Sequence, residues 1–116
     1  MPRRKLDPLP PVAFHILLAL AGEDLHGYAI MRRVEQQTRG RVRLGPGTLY
    51  GSVKTLLEAR LIEELEARAD EQLGTDRRRY YRLTSAGRKA ARSEAQKLAE
   101  LLRLAIAKRV LREVHV

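Results

Sequence analysis

Cysteine and tryptophan are absent from this 116-residue chain, and phenylalanine occurs once. Without cysteine there can be no disulfide scaffold, no cysteine-based zinc site and no thiol nucleophile, and a reducing compartment suits such a chain. With one Phe and no Trp, the core must be aliphatic. A membrane-spanning run is also missing. The apolar stretch Val12–Ala21 is interrupted by His15 and falls well short of the roughly 20 residues that cross a bilayer. Arg3, Arg4 and Lys5 before it, and Ala19-Leu20-Ala21 at its end, imitate a secretory signal. Asp7, Pro8, Pro10 and Pro11 stand between the two parts, so the stretch is expected to be a core helix of a cytoplasmic protein.

Positive charge, by contrast, is in excess. There are 23 Lys and Arg against 14 Asp and Glu, a formal net charge of +9. The length implies one domain, and 44% hydrophobic residues suffice for a packed core. A basic balance makes nucleic acid or an anionic surface the first partners to consider. The excess is uneven: residues 1–45 carry +4, 46–69 carry −1, 70–84 carry +1 and 85–116 carry +5.

Periodicity and turn residues divide the chain. Val12–Ala21 reads as a first helix, closed by Gly22-Glu23-Asp24. A second runs from about Gly27 to Thr38, with Ala29, Ile30 and Val34 on one side and Arg32, Arg33, Glu35 and Gln36 on the other, and Gly40 stops it. After a short extended piece, Val42–Leu44, Gly45 can cap a third helix and Pro46 suits its first position. Leu49, Val53, Leu56 and Leu57 form its core face; Gly47, Thr48, Tyr50, Gly51, Ser52 and Lys54 lie opposite. Two strand-like runs, about Leu61–Arg68 and Arg78–Leu83, flank a polar loop containing Asp70, Gly74 and Asp76 and read as a hairpin. Thr84 then caps a long helix, expected from Ser85 to Glu113, about 43 Å at 1.5 Å per residue. Its stripe, Ala91, Ala95, Leu98, Leu101, Leu102, Ala105 and Ile106, is too long for one small domain to bury, and a second copy of the chain is the economical partner. The expected fold is mainly α with a small β-hairpin: a winged helix-turn-helix over residues 1–84, with a basic arm at 1–10, and a dimerisation helix over 85–116.

Several motifs have a bland reading beside a chemical one. Gly45 and Gly51 have five residues between them and no following Lys, which is not a Walker phosphate loop. Gly47 and Gly51 leave one side of the third helix bare, either for close approach to DNA or for packing on the second helix. Tyr50 and Lys54 are i, i+4 neighbours that can reach phosphates or form an ordinary surface pair. Arg77, Arg78 and Arg79, at the end of the wing loop, favour the DNA backbone over a merely solvated face. Tyr81 is expected in the core under the wing. His15, His26 and His115 share no metal-ligand spacing, and His26 is expected to satisfy the backbone where the second helix starts. The carboxylates Glu63, Glu64 and Glu66 read as a solvated face, so neither catalysis nor a metal nor a cofactor is implied.

Four blocks are more specific than the topology: His26-Gly27-Tyr28-Ala29-Ile30, Gly45-Pro46-Gly47-Thr48-Leu49-Tyr50, Leu61-Ile62-Glu63 and Arg78-Arg79-Tyr80-Tyr81-Arg82-Leu83-Thr84-Ser85-Ala86-Gly87. In this order and spacing the chain resembles the PadR family of bacterial transcriptional regulators, over about Val12 to Ala91. It departs from the family's usual Ser or Asn at Gly45 and Pro at Gly51. The single last helix resembles the short subfamily, in which that helix dimerises. The resemblance implies a homodimeric repressor of a pseudo-palindromic operator in double-stranded DNA, with a small phenolic or hydrophobic effector. The missing tryptophans argue against stacking of a flat aromatic drug. Thr48, Ser52, Gly47 and Gly51 are then the candidates for base edges. Tyr28, Tyr50, Lys54 and Arg77 to Arg79 would hold phosphates, with His26, Gly27 and Pro46 at the helix starts beside them. Two rival functions share the charge or the fold: a non-specific architectural protein of DNA or RNA, and a winged-helix adaptor that binds protein.

Overall fold

The computed structural model describes residues 6, 8–69 and 77–112. The basic cluster of the expected arm, the wing-tip residues Asp70, Gly74 and Asp76, and Glu113 lie outside them.

Helix α1, Pro11–Leu20, starts on Pro10 and Pro11, where a missing N–H is harmless, and buries Ala13, Ile16, Leu17, Ala19 and Leu20. Strand β1 is the pair Leu25–His26, followed at once by α2, Gly27–Gln37. Helix α3, Pro46–Glu58, is followed by β2, Ile62–Ala69, β3, Arg77–Leu83, and α4, Ser85–Ala107. The sheet is antiparallel in the order β1-β3-β2. The expected hairpin therefore has a third strand, in which Leu25 opposes Tyr81 and His26 opposes Tyr80. On the other side of β3, Ile62 opposes Leu83 and Glu64 opposes Tyr81, and the register shifts between Leu65 and Arg68. Arg77 and Arg78 belong to β3, opposite Ala69 and Arg68, so the arginine run begins the strand rather than ending the loop.

The core is aliphatic. Ile16, Leu17, Ile30, Val34, Leu49, Leu56 and Ile62 are its largest fully buried side chains, each worth about 1.5–3 kcal/mol relative to exposure. Tyr81 is buried with them, under the wing. The amide side chain of Gln37 donates to the His15 carbonyl at 2.9 Å, tying the end of α2 to α1. The Thr38 hydroxyl donates to the Val34 carbonyl at 2.8 Å and accepts from the Val42 N–H at 3.0 Å, which aims the chain into α3.

Helices α2, α3 and α4 end alike. The N–H two residues past each cap returns to the carbonyl five earlier: Gly40 to Glu35, Leu61 to Leu56, Val110 to Ala105. This wrap needs one left-handed residue, usually glycine, and here it is arginine each time: Arg39, Arg60 and Arg109, with φ of 53°, 59° and 59°. Gly40, expected to stop α2, is the second left-handed residue rather than the first. Likewise α4 stops at Ala107, six residues before the expected Glu113, because the chain turns left-handed at Arg109.

One junction joins wing, α3 and α4. The Thr84 hydroxyl donates to the Arg60 carbonyl at 2.8 Å and accepts from the Gly87 N–H at 3.0 Å, while the Thr84 N–H donates to the Leu61 carbonyl at 3.1 Å. A β-carbon on Gly87 would collide with the Leu61 carbonyl oxygen and lie 2.8 Å from Leu83 Cδ1. Gly87→Ala should therefore lower stability by about 1–3 kcal/mol. Arg60→Gly should raise it by up to about 1 kcal/mol through relief of the left-handed backbone. Urea midpoints at constant m-value measure both, and opposite signs are expected.

Candidate nucleic-acid interface

Burial divides α3 lengthwise. Leu49, Val53 and Leu56 are 0–2% exposed, whereas Pro46, Gly47, Thr48, Tyr50, Gly51 and Lys54 are open and Ser52 is half-buried. At Gly45, Gly47 and Gly51 an added β-carbon would meet nothing within 4 Å. Among the described residues the bare side of α3 is thus not a packing face against α2, the alternative its small residues allowed. At the edge of that side Tyr50 does meet α2, its phenol lying against Gly27, while Leu49 and Val53 share the buried core with Ile30 and Val34.

The start of α2 forms the second edge of this surface. His26 Nδ1 accepts from the Ala29 N–H at 3.1 Å and caps the helix; with that nitrogen accepting, the neutral ring carries its proton on Nε2. The ring stacks on Tyr28 at 6.5 Å and meets Tyr80 edge-on at 5.4 Å. The Arg32 guanidinium lies 5.9 Å from the centre of the Tyr28 ring, within cation–π range. Arg32 is a cation beside the expected contacts that sequence reasoning passed over, although its i+4 spacing from Tyr28 was the available signal.

On the wing, Arg79 Nε is 3.3 Å from Glu64 Oε1, and Arg82 lies 3.2 Å from Asp24 and 3.8 Å from Glu63. Glu63 and Glu64 are thus the partners of wing arginines. Exposed pairs of this kind are worth about 0–1 kcal/mol, so a phosphate can compete for Arg79. Burial, then the neighbouring Glu64 and Tyr50, push the Tyr81 phenol above its ordinary pKa, against Arg79, and it stays neutral at physiological pH. His15 is half-buried on α1, and no cluster suited to a metal ion occurs among the described residues.

On α4, Gly87 and Ala91 are buried within the chain's own fold. Ala91, expected on the dimer stripe, is thus already covered by its own chain. Ala95 is exposed, Leu98 is 46% and Leu101 61% exposed, and Leu102, Ala105 and Ile106 are half-buried. Leu104, three residues on from Leu101 and so beside it, is 49% exposed.

Residues 16–93 match the PadR-like family of transcriptional regulators. The chain belongs to that family. A transcriptional regulator from Clostridium thermocellum, Cth-833, is 28% identical, with 84% of this chain and 90% of that one covered at a TM-score of 0.67. A PadR family transcription regulator from Clostridium difficile R20291 is 24% identical and shares the fold at a TM-score of 0.70, over 83% of this chain and 95% of that one. An uncharacterized 37.1 kDa protein in transposon TN4556 of Streptomyces fradiae is 41% identical over 86 residues, 74% of this chain. This chain spans only 22% of that protein's length. No helix among the described residues is long and apolar enough to cross a membrane.

In this PadR-like chain the shared blocks have local physical causes. Thr84 and Gly87 make the junction at α4, and His26 caps α2. At Gly51, outside those blocks, a β-carbon would meet nothing within 4 Å among the described residues, so Gly51→Ala should stabilise the free protein by about 0.5–1 kcal/mol through helix propensity alone. A melting curve showing destabilisation would mean that something already occupies that side of α3.

Proposed function

We propose that this PadR-like protein is a homodimeric, sequence-specific repressor of a pseudo-palindromic DNA operator, acting in the cytoplasm and released by a small hydrophobic or phenolic effector. The observation carrying this reading is the open side of α3, where a β-carbon added at Gly47 or Gly51 would meet nothing within 4 Å among the described residues. A helix bare there can bring its backbone, Thr48 and Ser52 close to base edges, with Tyr50 and Lys54 at the rim. Pro46 starts this helix as His26 and Gly27 start α2. Tyr28, Arg77, Arg78 and Arg79 supply phosphate contacts from α2 and the wing, which fix register rather than sequence.

The exposed leucines of α4 support self-association, since contiguous apolar surface on a helix is costly in water. A two-fold dimer would set its α3 helices in successive major grooves, about 34–36 Å apart. An effector that changed this spacing would relieve repression.

Selection of bound genomic fragments with purified protein, followed by footprinting, should recover a palindrome with half-sites one helical turn apart. Equal affinity for any duplex would favour a non-specific architectural role, and no affinity at low salt would favour a protein adaptor. On the recovered operator, Gly51→Ala should weaken binding at least about tenfold, whereas Arg79→Ala should weaken all sequences alike and flatten the salt dependence by about one ion.

Leu98→Glu with Leu101→Glu should yield monomers by light scattering, with operator affinity falling alongside. An unchanged mass would place the seam elsewhere.

A further inference from the structure

We propose that Gly27 is a positioning residue for Tyr50: the absent β-carbon in the first turn of α2 is the seat of the recognition helix's phenol. The proposal rests on the DNA-binding reading above and adds what orients one of its contacts.

A β-carbon built on Gly27 would overlap the Tyr50 hydroxyl and lie 2.9 Å from Cζ and 3.1 Å from Cε1 of its ring. Gly27 is buried, while Tyr50 remains 51% exposed. One edge of the ring is therefore held and the other is presented to solvent. Backbone conformation does not demand this glycine, since Gly40 is the positive-φ glycine among the described residues. It stands beside a fixed cap, because His26 holds the Ala29 N–H at 3.1 Å. The seat is rigid on the α2 side, and what lies in it is the far end of a side chain with two rotatable bonds.

That last point separates Gly27 from Gly87. At Gly87 an added methyl meets a backbone carbonyl, which cannot give way without moving the chain. At Gly27 it meets a ring that can swing out. Alanine there should leave the fold standing and release Tyr50 from its orientation. The phenol would then have to be ordered when DNA binds, a penalty of the size that immobilising one side chain usually carries, about threefold to tenfold in affinity.

The test is a double-mutant cycle in the full chain, with Gly27→Ala, Tyr50→Ala and the pair measured for thermal midpoint and for affinity to the selected operator. Tyrosine ring resonances of the free protein are recorded alongside. Gly27→Ala should keep the midpoint, shift the Tyr50 ring resonances and weaken operator binding by about threefold to tenfold. In the Tyr50→Ala background it should weaken binding no further. Unmoved Tyr50 resonances, or effects on affinity that simply add, would overturn the proposal. Should Gly27→Ala lower the midpoint, recovery in the double variant supports the seat and persistence of the loss overturns it. If wild type binds no operator, the functional reading fails along with the role in DNA contact, and the ring resonances still decide whether Gly27 seats Tyr50.

Discussion

Three hydrogen bonds around Thr84 hold the working parts of this molecule in one frame. Its hydroxyl and N–H engage the two carbonyls that follow α3, those of Arg60 and Leu61, and its oxygen receives the Gly87 N–H that begins α4. Threonine at this position is therefore both an N-cap and a clamp on the preceding helix. Glycine three residues later lets α4 approach the Leu61 carbonyl more closely than any side chain would allow. The base of the wing is fixed at the same place, where Ile62 opposes Leu83. The end of α3, the root of the wing and the direction of α4 are consequently not independent. A dimer seam along α4, as proposed, would transmit its geometry through this junction to α3 and the wing of each copy.

Charge is arranged differently from what the +9 total suggests. Helix α3 carries one Lys and one Glu, Lys54 and Glu58, and is neutral overall. Several basic residues around it are engaged with acids: Arg33 with Glu23, Arg43 with Glu35, Arg79 with Glu64 and Arg82 with Asp24. Such exposed pairs lower the field a distant phosphate feels but exchange readily, because each is weak in water. In the proposed function attraction to DNA would then come from the flanks and be shared among many groups. The reading surface proposed on α3 would itself rely on shape, on bare backbone and on hydroxyls.

Much of this architecture was legible because periodicity and caps agree along the chain. The i, i+4, i+7 spacing of Leu49, Val53 and Leu56 after Gly45-Pro46 could describe only a helix with one buried side, and those residues are buried. Strand β1 was not legible, since two residues carry no alternation and Leu25–His26 acquires its partners only from Tyr81 and Tyr80, far along the chain. The end of α4 was missed for a different reason. Glycine or proline normally announces a stop, whereas Arg109 adopts the left-handed turn without either. Arginine in that position has a partial compensation, because a cation near a helix C-terminus is favoured by the dipole by about 0.3–1 kcal/mol. Ala91 was placed on the outer stripe because periodicity cannot say where a helix leaves its own domain. The candidate DNA contacts were legible through family likeness, and exposure on α3 agrees with them.

Glycine shows most clearly where sequence reasoning runs out. Gly27, Gly47, Gly51 and Gly87 all sit in helices, where glycine is disfavoured against alanine by roughly 0.5–1 kcal/mol. A sequence alone assigns them one shared oddity. In the fold they separate by what a β-carbon would meet: a backbone carbonyl at Gly87, a movable phenol at Gly27, and open space at Gly47 and Gly51. The first is a requirement of folding, since backbone cannot retreat. The second leaves folding intact and concerns the orientation of a neighbour. At the third pair the described residues supply no reason, and the proposed function accounts for the bare helix side by a partner brought from outside. Since α3 carries only Lys54 and Glu58 and is neutral overall, a DNA partner of the proposed kind would have to come close to be recognised, which is what the absence of side chains at Gly47 and Gly51 permits.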